Sequence, residues 1–150
     1  MKIAIGSDHA GFELKEKLRA MLERQGHEVT DEGTSTTDSV DYPDYAKKVA
    51  DDVAGGMATY GVLVCGSGIG MAITANKVPG IRAANVTTEV EAQLMREHNN
   101  ANVVAVGARL VDETRAEAIV KKFLATAFSG GRHEQRVEKI TAIEKQESKS

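Results

Sequence analysis

The chain has 150 residues, of which 41% are hydrophobic and 27% charged, and its formal net charge is -3. A chain of this length is most simply one domain, which buries roughly 70% of its extended-chain surface and needs no disulfides or metals to fold. The chain has no tryptophan and no block of like charges, whereas nucleic-acid-binding proteins usually carry a basic patch and aromatic side chains. We therefore expect a globular protein that binds a small ligand and neither nucleic acid nor membrane.

The single cysteine, Cys65, cannot form an internal disulfide, which is typical of proteins in a reducing compartment. The N-terminal stretch reaches Asp8 and His9 before the core of a signal peptide could form. No later run approaches the roughly 18 apolar residues of a membrane-spanning helix. These observations predict a cytoplasmic protein.

Short apolar runs alternate with longer amphipathic segments along the chain. Strands are predicted, in chain order, over KIAIG (2–6), HEVTDEG (27–33), YGVLVCG (60–66), IRAANV (81–86) and ANVVAVG (101–107). Helices are predicted over 12–22, from Pro43 to about Val53, over 71–78, from a Thr88–Glu91 capping box to near His98, over 112–128, and after Gly131.

Strands that alternate with helices of this kind predict right-handed crossovers and a parallel sheet. Five such units indicate a doubly wound, Rossmann-like α/β domain with a five-stranded parallel sheet and helices on both faces. We expect this domain to span residues 1–144 and the tail, 145–150, to fray. Ligands of such folds bind outside the carboxyl ends of the strands, which directs attention to residues 6–11, 65–70 and 107–109.

The glycine-rich turn CGSGIGM (65–71) fits none of three common phosphate-binding patterns. A dinucleotide fingerprint needs glycine or alanine where Met71 stands, and a Walker loop needs a Gly-Lys-Ser/Thr sequence that is absent from this turn. Cysteine phosphatases need an arginine six residues after the cysteine, and that position is again Met71.

Two interpretations of this turn remain open on the residues alone. Gly66, Gly68 and Gly70 allow a ligand to approach the backbone, and the N–H groups of a following helix can hold an anion or an oxyanion. Cys65 beside them can then serve as a base or nucleophile. Alternatively, Cys65 packs as a small apolar residue and the glycines only turn the chain.

Two further groups of polar residues also leave alternatives open. Asp8 and His9 directly follow the first strand and suit proton transfer or the binding of a sugar hydroxyl; otherwise Asp8 caps a helix and His9 is solvated. Arg132 and Arg136 lie four residues apart near a helix start. They can clamp a phosphate or form a solvated basic face.

His98 and Asn99 end a helix that runs back from the carboxyl edge of the sheet. Within one subunit His98 should therefore lie at the opposite edge from Cys65, roughly 17–20 Å away. Either His98 only complements the end of its helix, or a second subunit brings it to the site. Tyr42, at the entry to the second helix, could reach a ligand.

Five stretches occur in an order and spacing that resemble the type B ribose-5-phosphate isomerases and their sugar-phosphate isomerase relatives. They are GSDHAGFELK, DYPDYA, VCGSGIGMAITANKVPGIRAA, EHNNANVVAVGAR and GGRHEQRVEKI. The resemblance extends from residue 2 to about residue 144. It implies an aldose–ketose isomerase of phosphorylated sugars that uses no metal or nucleotide cofactor. It also implies a homodimer or homotetramer whose active site is shared between subunits.

The resemblance implies a role for each candidate residue. Cys65 matches the base that moves a proton between C2 and C1 through a cis-enediolate. His98 matches the acid that opens the furanose ring, with Asp8 on the same face of the sugar. The anion hole matches Gly66, Ser67, Gly68, Ile69 and Gly70. The contacts to phosphate and sugar match His9, Arg109, Arg132, Arg136 and Asn99, and Tyr42 joins this substrate-binding set.

Two positions differ within the family. One branch lacks the cysteine and uses a glutamate where Met71 stands, so this chain fits the cysteine branch. Asn100 stands where an aspartate is commoner. The sequence leaves open an isomerase for allose 6-phosphate, galactose 6-phosphate or a tetrose phosphate, and a non-catalytic sugar-phosphate-binding module.

Overall fold

A computed structural model of the chain describes residues 1–148. The strands are β1 (Lys2–Ser7), β2 (Glu28–Asp31), β3 (Tyr60–Cys65), β4 (Ala83–Asn85) and β5 (Val103–Gly107). The helices are α1 (Phe12–Arg24), α2 (Tyr42–Ala54), α3 (Ile69–Ala75), α4 (Glu89–Glu97), α5 (Glu113–Ala125) and α6 (Arg132–Glu147). No helix within residues 1–148 is long and apolar enough to cross a membrane.

The five strands form one parallel sheet in the order β2-β1-β3-β5-β4, with helices on both faces. Right-handed crossovers that run in opposite directions along a sheet must lie on opposite faces. The apolar core accordingly has two parts, one in which α1, α4 and α5 pack on the sheet and one in which α2 and α3 do. The predicted doubly wound α/β fold is confirmed.

The strand order reverses next to β1, since β2 lies on one side of it and β3 on the other. Ser7 pairs with Val64, and Cys65 pairs with Gly107. The carboxyl ends of β1, β3 and β5 therefore lie side by side at the reversal, where doubly wound sheets bind ligands.

Several element boundaries differ from the sequence-based prediction. The third helix begins at Ile69 rather than at Met71, because Gly68 adopts a φ of 82° that turns the chain directly into the helix. The edge strands β2 and β4 are shorter than predicted. Helix α6 continues to Glu147, past the expected domain end at 144, while residues 149 and 150 of the expected tail lie outside the described residues.

A buried lysine links α1 to the edge strand β2. Lys15 is fully buried, and its Nζ donates to both carboxylate oxygens of Asp31 at 2.8 Å and to Glu16 at 2.9 Å. Asp31 also accepts hydrogen bonds from Arg19 and from the N–H of Gly33. Partial burial opposes ionisation of Asp31, but the hydrogen bonds and the positive charges outweigh it and lower its pKa.

Replacing Asp31 with asparagine should lower the free energy of unfolding by about 3 kcal/mol at neutral pH, because the buried Lys15 loses its main partner. The folded-state pKa of Asp31 is depressed, so this stabilisation is present above the unfolded-state pKa and is lost as pH falls through the folded-state pKa. Urea unfolding of wild type and variant across a pH series measures it. Asp51→Asn, which breaks an exposed pair with Lys47, is the control and should cost much less. Equal losses in both variants would contradict this role of Asp31.

Candidate active site

An open pocket of about 540 Å³ lies at the carboxyl ends of β1, β3 and β5. Its lining residues are Asp8, Tyr42, Cys65, Gly66, Ser67, Ile69, Gly70, Ile73, Arg109 and Leu110. The fold therefore brings together eight of the residues singled out in the sequence, including the cysteine, the aspartate and one arginine. Gly68 belongs to the same turn through its bond to Cys65.

Cys65 is the last residue of β3 and faces this pocket while only 5% exposed. The N–H of Gly68 donates to its Sγ at 3.1 Å, which fixes the direction of the sulfur. The N–H of Ile69 donates to Ser67 Oγ at 3.2 Å, which holds the turn in place. The sulfur therefore sits at the base of a glycine turn that is ordered by its own hydrogen bonds.

Two glycines of the turn leave room for side chains that reach the pocket. A Cβ at position 66 would lie 2.8 Å from Arg109 Nη1, and a Cβ at position 70 would lie 2.5 Å from the ring of Tyr42. The N–H of Arg109 also donates to the Gly66 carbonyl at 3.0 Å. Glycine at these two positions lets Arg109 and Tyr42 lie directly against the backbone of the turn.

Asp8 and His9 have defined partners where the chain leaves β1. Asp8 is buried, and its Oδ1 accepts a hydrogen bond from the N–H of Gly11 at 3.0 Å. His9 Nδ1 accepts the N–H of Val40 at 3.1 Å, so a neutral ring carries its proton on Nε2 and can donate from there. Asp8 thus orders the turn before α1 and also lines the pocket, while His9 lies outside the lining set.

A second cluster of polar side chains forms where α4 ends and α6 begins. The imidazole rings of His98 and His133 stack with centroids 4.2 Å apart and planes 15° apart. Arg132 and Arg136 are exposed in the first turns of α6. Desolvation, followed by the positive charges of His98 and the two arginines, lowers the pKa of His133. The two arginines give this cluster its fixed positive charges, whereas the lowered pKa of His133 favours the neutral form of that ring.

The structure does not bring this second cluster to Cys65 within one chain. Helix α4 carries the chain from β4 back to the amino end of β5, so His98 lies toward the opposite edge of the sheet, as the sequence predicted. Asn99 lines a different cleft, of about 790 Å³, between β4, α4 and α6. This larger cleft also contains Arg82, Ile140 and Ile143 but none of the residues around Cys65.

Sequence reasoning missed several residues of these two regions. Ile73 and Leu110 line the Cys65 pocket and are exposed. The spacing of four residues between Ile69 and Ile73 indicates one helix face and could have predicted the first of them. Nothing in the sequence indicated that His133 stacks on His98, because that contact depends on how α6 returns to the end of α4.

No group of three or more histidine, cysteine, aspartate or glutamate side chains within the described part of the chain could hold a metal ion. Side chains that can hold an anion are present instead. Arg109 lies at the pocket, and Arg132 and Arg136 lie at the start of α6.

Comparison with known proteins gives one consistent relationship. Residues 3–140 match the family described as Ribose/Galactose Isomerase. The chain is 50% identical over 143 residues to ribose-5-phosphate isomerase B of Escherichia coli K12, which covers 95% of this chain and 96% of that protein.

Solved structures agree with this relationship. Ribose-5-phosphate isomerase B of Clostridium thermocellum superposes with a TM-score of 0.96 at 50% identity, covering 97% of this chain and 99% of that one. The Mycoplasma genitalium enzyme, solved with bound ribulose-5-phosphate, superposes with a TM-score of 0.93 at 41% identity, covering 96% of each chain.

The single thiol gives a direct test of the pocket. Methyl methanethiosulfonate should modify Cys65 in the folded protein, because the pocket opens onto the sulfur. Tyr42→Ala should speed the reaction several-fold, because it removes a side chain that lines the pocket. Leu94→Ala is the matched control, since Leu94 is 41% exposed and Tyr42 40%, and Leu94 lies outside the pocket. Mass spectrometry of quenched samples gives the rates. A rate no faster than global unfolding would contradict this placement of Cys65.

Proposed function

Because the chain belongs to the ribose/galactose isomerase family, we propose that it interconverts ribose 5-phosphate and ribulose 5-phosphate. The observation that carries this proposal is the 50% identity to ribose-5-phosphate isomerase B of Escherichia coli over nearly the whole of both chains. The proposal includes a cytoplasmic location and an active site shared between two copies of the chain.

Cys65 is the proposed base of the isomerisation. Its thiolate removes the proton from C2 of the open-chain aldose, and the electron pair moves toward C1 and its oxygen to form a cis-enediolate. The same thiol then returns a proton to C1, the hydroxyl proton passes from O2 to O1, and C2 becomes the carbonyl carbon. The hydrogen bond from the Gly68 N–H to Cys65 Sγ supports this role, because it fixes the position of the sulfur while the proton moves.

The turn from Gly66 to Gly70 is the proposed anion hole for the enediolate. The first N–H groups of a helix have no partner inside the helix. Of these, the N–H groups of Gly68 and Ile69 donate to Cys65 Sγ and Ser67 Oγ. The proposed donors to the oxyanion are the N–H of Gly70, in the first turn of α3, and the N–H of Ser67, just before the helix. Fixed donors aimed at developing charge lower the barrier to removal of a proton next to a carbonyl.

His98 is the proposed acid for opening the sugar ring, and it comes from a second copy of the chain. Exposed apolar side chains flank the Cys65 pocket, namely Ile69, Ile73 and Leu110. Exposed Ile140 and Ile143 likewise flank the cleft that contains Asn99. Exposed apolar surface beside the Cys65 pocket and beside the cleft that contains Asn99 is typical of a protein interface. A symmetric homodimer, alone or within a homotetramer, would create two equivalent shared sites.

The arginines are the proposed phosphate-binding group. Arg132 and Arg136 are exposed on one face at the start of the 16-residue helix α6, where both side chains and helix favour an anion. Arg109, lying against Gly66, and His9 through Nε2 complete the group. Holding the phosphate fixes the distant end of the sugar and leaves C1 and C2 beside the thiol. Asp8, Tyr42 and Asn99 contact the hydroxyl groups between the two ends.

Mixing two inactive variants tests the base, the acid and the shared site together. Cys65→Ala and His98→Asn should each abolish isomerisation of ribose 5-phosphate without unfolding the chain. Co-refolding them in equal amounts should restore about a quarter of wild-type activity, since one site in four then receives both intact residues. A coupled assay for ribulose 5-phosphate measures the recovery.

The control for this experiment is Cys65→Ala co-refolded with Arg24→Ala, an exposed residue at the end of α1 that belongs to neither cluster. In that mixture only the sites that contain an intact Cys65 should be active. No recovery in the first mixture would contradict the shared site, and near-normal turnover by Cys65→Ala alone would contradict the role of the thiol.

A further inference from the structure

Arg96, in the last turn of α4, lies beneath the turn that carries His98 and Asn99. It is only 5% exposed. Its Nη1 donates to the side-chain oxygen of Asn100 at 2.9 Å and to the carbonyl of Ala101 at 2.8 Å. Its Nε donates to the carbonyl of Thr126, past the end of α5, at 3.0 Å. One guanidinium therefore joins the turn after α4 to the segment that leads to α6.

Two aromatic rings hold this guanidinium in place. The Cζ of Arg96 lies 4.9 Å from the centroid of Tyr60 and 6.0 Å from that of Phe123. The three hydrogen-bond acceptors of Arg96 are all neutral groups. A buried cation with neutral acceptors is a weak source of stability, but its planar fork defines the geometry of its partners well.

The turn itself has a backbone that needs such support. Asn100 adopts a left-handed φ of 46°, and its N–H donates to the carbonyl of Arg96 at 3.2 Å. Arg82 binds the turn from the other side, through Nε to the carbonyl of Asn99 at 2.8 Å and Nη2 to that of Asn100 at 2.9 Å. Five polar contacts, three with Arg96 and two with Arg82, thus fix the segment that begins at His98.

We propose that Arg96 is a positioning residue that orients His98 for ring opening; this rests on the proposed function. In that step the C1 hydroxyl loses its proton to water, the bond between C1 and the ring oxygen breaks to leave C1 as the aldehyde carbon, and His98 gives a proton to the ring oxygen. The later transfer at C2 and C1 uses Cys65 and does not involve His98. Loosening the turn after α4 therefore lowers kcat only for substrates that enter as rings. A displaced Asn99 weakens the binding of ring and open-chain substrates alike, which raises KM for both.

A substrate that cannot form a ring separates positioning from support of the fold. The probe, 4-deoxyribose 5-phosphate, lacks the hydroxyl that closes a furanose, and its phosphorylated O5 cannot close a pyranose. Arg96→Lys keeps the positive charge but loses the planar guanidinium that donates in several fixed directions. It should lower kcat for ribose 5-phosphate at least about tenfold and leave kcat for the 4-deoxy compound unchanged. Asn100→Gly suits the left-handed backbone and removes only one acceptor of Arg96. It should lower the ratio of kcat for ribose 5-phosphate to kcat for the 4-deoxy compound by a smaller factor than Arg96→Lys does.

Ile119→Ala is the control for stability, because this fully buried α5 residue belongs to the same core cluster as Phe123, whose ring centroid lies 6.0 Å from the Cζ of Arg96, and its side chain has no hydrogen-bonding group. It should lower the melting temperature and leave the ratio of the two kcat values as in wild type. If Arg96→Lys does not fold, an unchanged ratio in Asn100→Gly overturns the proposal. Equal losses of kcat on both substrates overturn it as well. Failure of the wild type to turn over ribose 5-phosphate would instead refute the proposed function.

Discussion

A parallel strand is reached only by a crossover, so the chain must return across the sheet after every strand. Residues that follow strands therefore collect at one edge, and residues that follow the return helices collect at the other. Asp8, Cys65 and Arg109 belong to the first group and line one pocket. His98 and Asn99 belong to the second group and lie elsewhere. This constraint separates the proposed base from the proposed acid, and it makes a second copy of the chain necessary to the proposed mechanism.

Much of this arrangement could be predicted from the sequence, because it depends on which residues follow which elements. The apolar run ending at Cys65 and the strand ending at Gly107 were sufficient to place the pocket. Thr88 and Glu91 predicted the start of α4, and the N–H of Glu91 does donate to Thr88 Oγ1. The start of α3 could not be predicted, since it depends on the positive φ of Gly68 and glycine adopts either sign.

Contacts between distant segments could not be predicted either. The sequence suggested nothing special about Lys15 or Arg96, since long basic side chains in helices usually reach solvent. Both are buried, with different partners. Lys15 is paired with carboxylates and secures an edge strand. Arg96 donates to neutral oxygens and defines a turn. The first arrangement joins a helix to an edge strand, and the second is the one proposed to orient the ring-opening acid.

The central claim is that this chain isomerises ribose 5-phosphate by proton transfer through a protein base. The most direct test is to incubate the protein with ribose 5-phosphate in ²H₂O, beside allose 6-phosphate and galactose 6-phosphate, and to follow the products by NMR. The account predicts preferential formation of ribulose 5-phosphate that carries deuterium at C1. Product from a hexose phosphate but none from ribose 5-phosphate, or ribulose 5-phosphate that stays free of deuterium after prolonged equilibration over many turnovers, would contradict it.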